Sequence, residues 1–277
     1  MKVRPLPLQQ ILAANRACGK LALAVKAANG VTRRAHVREE GPLRVRCPGP
    51  PAPELEAVII NTAGGVAGGD RLTLEVSVQE GAHLMVTTAA AEKVYRSMDA
   101  AAVIDIRLDV GAGASLAWLP QETILFDEAR LARAIDVELA DNARLVLVEA
   151  LVFGRSGMGE IVRTGRLCDR WRIRRRGRIV HAEALRLQGE IAVRLEEGAV
   201  ANGGRALATV LILPGDETMA AAVRALMPRL RCEAAASACN GKLAARLCAA
   251  DGAALRDDLR VILSAVGGVS LPRLWLN

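Results

Sequence analysis

One pattern constrains this chain more than any other: a strand, a turn and a second strand that return about every 30 residues. Residues 71–78 alternate apolar and polar side chains, which marks a strand with one buried face. A turn at Glu80-Gly81 leads into an apolar strand, His83 to Thr88. The pattern returns at 103–110 and 115–119, and again at 135–139 and 144–149. The turn exits Gly81-Ala82-His83-Leu84, Gly113-Ala114-Ser115-Leu116 and Asn142-Ala143-Arg144-Leu145 stand 32 and 29 residues apart. Each unit leaves an apolar face that only a neighbour can cover, so the units are expected to stack as a solenoid. A β-sandwich built from regular hairpins satisfies the same periodicity, and spacing alone does not separate the two.

The remainder reads as β followed by α+β. Strands are expected at Trp171 to Arg175, Arg178 to Leu187 and Ala206 to Leu213. Asp216 can cap a helix from Glu217 to Met227, where Pro228 stops it. Asn240-Gly241 between apolar runs reads as a type I′ hairpin. An amphipathic helix over 253–266 is expected to end at Gly267-Gly268. The expectation is a mainly β fold of one domain over 1–277, β-rich from 20 to 213 and α+β from 214 to 277. No Gly/Ser/Pro linker divides the chain, and Pro48 to Pro53 reads as a short surface loop.

Composition excludes several classes. The 277 residues are 52% hydrophobic and 24% charged, enough to bury a full core and too apolar for intrinsic disorder. No stretch approaches the roughly 18 uncharged apolar residues of a spanning helix. Met1 to Val25 lacks the apolar core of a signal peptide, so a cytoplasmic protein is expected. The six cysteines are scattered with no Cys-x-x-Cys pair, and are read as reduced thiols, mostly buried.

The densest motif is Asn61-Thr62-Ala63-Gly64-Gly65-Val66-Ala67-Gly68-Gly69-Asp70. Gly64 and Gly69 have the spacing of a phosphate-binding loop, but Asp70-Arg71 stands where Lys-Ser/Thr is needed and a strand follows in place of a helix. The glycines are better read as backbone that takes positive φ and packs closely, with Asp70 accepting hydrogen bonds from turn amides. Catalytic patterns are poor. Met158 breaks the nucleophile-elbow spacing of Gly154-Arg155-Ser156-Gly157-Met158, and His36, His83 and His181 have no helical partner. Eight arginines between Arg163 and Arg178 form a basic cluster. It is compatible with a charged ribbon that resists edge aggregation, with an acidic protein partner, or with nucleic acid. Nucleic acid is disfavoured, because the cluster holds one aromatic, Trp171.

Taken together, the blocks resemble the UreD (UreH) family of urease accessory proteins. They run in the family's order: Asn61 to Asp70; Thr87 to Ser97, "TTAAAEKVYRS"; Trp118 to Phe126, "WLPQETILF"; Glu149; Phe153 to Glu160, "FGRSGMGE"; and the C-terminal "LPRLWLN". The motif positions carried over are Asn61, Thr62, Gly64, Gly65, Gly68, Gly69, Thr87, Lys93, Tyr95, Arg96, Gln121 and Phe126. Departures stand at Glu92, Glu128 and Gly157. The resemblance implies a β-helix-like stack with about two helices near the C-terminus, and no catalytic activity. It implies a chaperone that binds UreF and, through it, UreG, docks on apo-urease and assists nickel insertion. A water-filled passage is the proposed nickel route in that family. No tightly bound cofactor is expected, only transient Ni²⁺. Such a route needs weak oxygen ligands, because a Cys/His cage would trap the ion. Asp70, Glu122, Glu149 and Glu160 lie in the family-like blocks and are the candidate lining carboxylates. The alternative reading is a basic β-rich protein that binds nucleic acid or another polyanion.

Overall fold

A computed structural model describes residues 16–266 and 271–276. The expected stop at Gly267-Gly268 lies outside the described residues, as do Met1 to Asn15 and Asn277. The chain opens with two antiparallel pairs, β1 (Cys18–Ala28) with β2 (Val31–Glu40) and β3 (Leu43–Arg46) with β4 (Glu54–Asn61). Three coils follow. The first is β5 (Arg71–Val78), β6 (His83–Thr88) and β7 (Glu92–Val94), and the second β8 (Ala102–Val110), β9 (Ser115–Trp118) and β10 (Thr123–Leu125). The third is β11 (Arg130–Leu139) with β12 (Arg144–Phe153). The hairpin of β13 (Gly165–Arg175) and β14 (Arg178–Gly189) is next, then α1 (Ile191–Glu196) and β15 (Ala206–Leu213). The chain continues through α2 (Glu217–Leu226), β16 (Glu233–Cys239), β17 (Lys242–Ala249) and α3 (Gly252–Val266).

These strands form two sheets, ordered β14-β13-β11-β8-β5-β1-β2 and β16-β17-β15-β12-β9-β6-β4-β3. Strands β1, β5, β8, β11 and β13 are mutually parallel, as are β4, β6, β9 and β12. The periodic turns are therefore corners that carry the chain from one sheet to the other. Hairpins at those positions would have given antiparallel neighbours, so the solenoid-like stack of about four turns displaces the sandwich built from hairpins. True hairpins occur where two successive residues take positive φ: Asn29-Gly30, Arg176-Gly177 and Asn240-Gly241. That is the backbone of a type I′ turn.

Parallel register stacks like on like. Leu21, Leu74, Ile106, Ile135 and Trp171 form one inward ladder, and Leu23, Val76, Leu108, Val137 and Ile173 the next. They meet Leu84, Leu116 and Leu145 from the opposite sheet in one continuous core. A second core lies on the other face of the second sheet, under α2 and α3. Asp216 accepts from the Met219 amide at 2.9 Å and starts α2 as expected; α2 ends at Leu226, one residue early, because Met227–Arg229 continue as a 3₁₀ turn. Helix α1 and strands β7 and β10 had no counterpart in the sequence reading.

One expectation is overturned. Of the six free cysteines only Cys232 is buried; Cys18 and Cys239 are exposed and the other three are half-buried. Cys18 opens β1 at an outward-facing step, and Cys239 sits beside the β16–β17 turn on an edge strand.

Candidate functional site

The family-like blocks fold against one another on the third side of the stack. Asn61, at the end of β4, donates from Nδ2 to the Gly65 carbonyl at 3.1 Å and to Glu92 Oε1 at 3.1 Å. Its Oδ1 accepts from the Ala63 amide at 3.0 Å. Tyr95 donates its hydroxyl to the Gly64 carbonyl at 3.0 Å, and Val66 donates to the Lys93 carbonyl at 2.8 Å. Gly65 has φ +151, and a Cβ there would lie 2.5 Å from the Tyr95 ring. At Gly68 a Cβ would collide with Ser97 Oγ and the Ala100 carbonyl. The glycines thus serve close packing of two loops.

The neighbouring blocks continue the wall. The Tyr95 and Phe126 rings meet edge to face at 5.1 Å, and the Arg155 guanidinium lies 4.1 Å over Phe126. Arg96 pairs with Glu128 at 2.8 Å. Gln121 donates to the Leu274 carbonyl and Trp275 to the Leu119 carbonyl, each at 3.0 Å, so the C-terminal block docks on this wall. Thr62 bonds the Pro42 carbonyl at 2.9 Å, and Thr87 is fully buried. Lys93 and Gly64 are exposed, and Gly69 takes φ +92 just before Asp70.

Behind this wall the space between the sheets holds two cavities. The first, about 180 Å³, is lined by Asn61, Gly65, Glu92, Trp118, Thr123, Arg133 and Glu149 among others. The second, about 540 Å³, is lined by Glu149, Asp169, Glu183, Thr209, Glu233 and Arg246 with apolar neighbours. Glu149 belongs to both walls; Arg133 faces the first cavity and Asp169 the second. Exposed residues rim each one, Gly64 and Lys93 on one side and Glu233 and Arg246 on the other.

At the waist between them sits a buried ionic triad. Arg133 grips Asp169 with two prongs, Nε to Oδ1 at 3.0 Å and Nη2 to Oδ2 at 2.5 Å. Its Nη1 donates to Glu149 and, at 3.1 Å, to Thr123 Oγ1. The remaining Glu149 oxygen accepts from Trp118 Nε1 at 2.9 Å. All three side chains are 4–5% exposed. Burial pushes the Glu149 pKa up despite the adjacent guanidinium. Burial opposes the charge of Arg133, but Asp169 and Glu149 outweigh it and hold that pKa above the usual arginine value. At the rim of the first cavity burial raises Glu92 to about 7, with Asn61 its partner.

Of the four candidate carboxylates, only Glu149 lines the cavities. Asp70 accepts from the amides of Ala67 at 2.7 Å and Ala17 at 2.9 Å, the turn-amide role read from sequence. Glu122 is gripped by Arg256 of α3, at 2.7 Å through Nε. Glu160 pairs with Arg155 at 2.6 Å on the outer side of the wall. Sequence reasoning missed Arg133 and Asp169. A signal existed: both break the alternation Leu131-x-Arg133-x-Ile135 and Leu167-x-Asp169-x-Trp171 at an inward step. The basic cluster is partly neutralised, Arg163 by Asp127, Arg170 and Arg174 by Asp136, and Arg176 by Asp141. Its hairpin forms the edge of the first sheet.

Comparison with known proteins decides the family. The profile described as "UreD urease accessory protein" matches residues 17–276. The chain belongs to this family. It is 53% identical over 272 residues to "Urease accessory protein UreD" of Rhodopseudomonas palustris (strain ATCC BAA-98 / CGA009), covering 98% of each chain. It is 51% identical over 267 residues to "Urease accessory protein UreD 3" of Bradyrhizobium sp. (strain BTAi1 / ATCC BAA-1182), covering 96% of each. As a UreD chain it is an accessory protein and not an enzyme. No described helix is long and apolar enough to cross a membrane.

Proposed function

We propose that this UreD chain assists nickel insertion into apo-urease in the cytoplasm, working with UreF and, through it, UreG, and that the ion travels between the sheets. The observation that carries the reading is the pair of cavities meeting at Glu149, with charged side chains at their junction inside an otherwise apolar stack. The lining chemistry suits a carrier. Carboxylates, a threonine hydroxyl and amides are hard, exchangeable ligands that let an ion leave. Among the described residues no group of three or more His, Cys, Asp and Glu side chains is arranged to hold a metal. Part of the first cavity's wall comes from the blocks that the family resemblance rests on, from Asn61 through Gln121 to Glu149.

Obstruction tests the route. Thr209 faces the larger cavity from β15, where it donates to Glu183 at 3.2 Å. Thr209→Trp fills that space. Expected is a folded protein that still pulls down UreF and apo-urease but activates urease poorly in a reconstituted assay with UreG, GTP and Ni²⁺. Full activation by a folded Thr209→Trp protein would remove the interior route.

A further inference from the structure

The waist triad is an unusual choice for its position. Arg133 and Asp169 continue the ladder of Leu72 and Ile104, so the neighbouring coils fill the same step with plain apolar side chains. Well-packed apolar residues usually match or exceed a buried ion network in stability. The charges therefore need a reason other than holding β11, β12 and β13 together.

We propose that Arg133 is a removable plug, its guanidinium filling the seat between Glu149 and Asp169 that a divalent cation takes in transit. The inference rests on the interior-route reading and adds its gate. Position comes first: the only carboxylate shared by both cavities is one of the two that Arg133 holds. Charge comes second. When both carboxylates are ionised, they and the one guanidinium leave the waist with a net negative charge, and a divalent ion in the same seat cancels the charge of the two carboxylates. That exchange is favoured where the dielectric is low. Space comes third. Arg133 lines the first cavity, so its head group has room to withdraw from the waist, toward a space whose rim carries the Glu92 carboxylate. The seat left behind offers carboxylate oxygens of Glu149 and Asp169 and the Thr123 hydroxyl, all within hydrogen-bond reach of the guanidinium now. An oxygen-only seat holds Ni²⁺ briefly, which is what transit requires.

The test is equilibrium dialysis of the full chain against Ni²⁺. Arg133→Gln is expected to gain one bound Ni²⁺ per chain, at least about tenfold tighter than any wild-type binding at the waist, the scale on which neighbouring groups tune metal affinity. Arg133→Gln/Asp169→Asn is expected to lose it again. A folded Arg133→Gln that binds no more Ni²⁺ than wild type overturns the plug, and so does a gain that survives Asp169→Asn. If Arg133→Gln does not fold, Arg133→Lys serves. It keeps the charge but cannot make the two-pronged grip, so it should compete less well and raise Ni²⁺ affinity. An unchanged affinity in that variant likewise overturns the proposal. The two readings fail separately: normal activation by Thr209→Trp sinks the route, whereas absent metal gain in the Arg133 variants sinks only the plug.

Discussion

Two adjacent ladders of the first sheet differ by one inward step and behave as different materials. The Leu21–Leu74–Ile106–Ile135–Trp171 ladder is apolar from end to end. One inward step earlier, Leu72 and Ile104 give way to Arg133 and Asp169, which close on Glu149 from the facing sheet. The backbone is the same in both: parallel strands in identical register. What changes is that the apolar ladder is stabilised by area and packing, additively along the stack. The ionic step is stabilised by mutual satisfaction and fails as a unit. A solenoid can thus bury a charged cluster without altering its scaffold, by changing side chains at one inward step of successive coils.

The largest expected effect separates these two modes. Asp169→Ala leaves Arg133 paired with Glu149 but strands the two guanidinium donors that Asp169 accepts, and should cost about 3–5 kcal/mol of unfolding free energy. Ile135→Ala, in the apolar ladder, should cost about 2–5 kcal/mol through the cavity it leaves. The contrast lies in rescue. Replacing the triad together, as Arg133→Met/Glu149→Leu/Asp169→Leu, should restore stability to wild type or beyond, since nothing charged is left unpaired. It should also abolish support of urease activation. Urea denaturation measures both ladders, and a triple variant as unstable as Asp169→Ala would erase the distinction.

Glu92 shows what burial does to a carboxylate without a cation. Its partner is the neutral Asn61, and its pKa rises from 4.5 to about 7. A carboxyl group raised in the folded state binds more protons there than in the unfolded chain. Its contribution therefore favours folding at low pH and is lost as pH rises from about 4.5 to about 7, then stays constant above. The gap corresponds to about 3 kcal/mol. Glu92→Gln, which stays neutral, should raise the melting temperature at pH 8 and leave it little changed near pH 4. Equal shifts at both values would show that Glu92 is not held protonated by its surroundings.

The loop wall should be less sensitive than either. Gly65→Ala forces φ +151 on a residue with a Cβ and pushes that Cβ against Tyr95 and the Lys93 carbonyl. Strained backbone of this kind costs about 1–3 kcal/mol. The damage should stay local, seen as faster hydrogen exchange in 61–70 and 92–97 with the apolar ladder still protected. Protection lost throughout would show the wall to be part of the cooperative core.

The repeat was legible because its signals are local: alternation, Gly- or Asn-bearing corners and a constant interval. The opening strands were not. Strand β2 is exposed on both faces over most of its length, so Val31–Glu40 shows no alternation to read. Strands β7 and β10 have three residues each, too few for a period. At the site, Glu149 was found through a block of family-like sequence, whereas Arg133 lies 16 residues before Glu149 and 36 before Asp169 along the chain. Those separations acquire meaning only when parallel register is known. Starting the third repeat at Ile135 hid the step that matters, because β11 begins five residues earlier, at Arg130.

Asp70 completes the series as a buried carboxylate satisfied by backbone alone. It is 6% exposed, its two oxygens take the Ala17 and Ala67 amides, and it lies in the wall of neither cavity. Those bonds tie the loop over 62–70 to the start of β1. The sequence alone allowed two roles, lining the ion's route or closing the turn, and they separate in one experiment. As a route residue, Asp70→Ala lowers urease activation while UreF binding and melting temperature hold. As a turn closure, it costs about 0.5–2 kcal/mol, the scale of a lost side-chain cap, and activation falls only in step with complex yield. The geometry favours the second outcome, since a carboxylate committed to two amides has little capacity left for an ion. Asp70→Asn sharpens the result: it keeps one acceptor oxygen and should recover part of the stability, because one of the two amides stays bonded. Activation lost in both variants at full stability and normal complex yield would return Asp70 to the route and move the ion's path outside the two cavities.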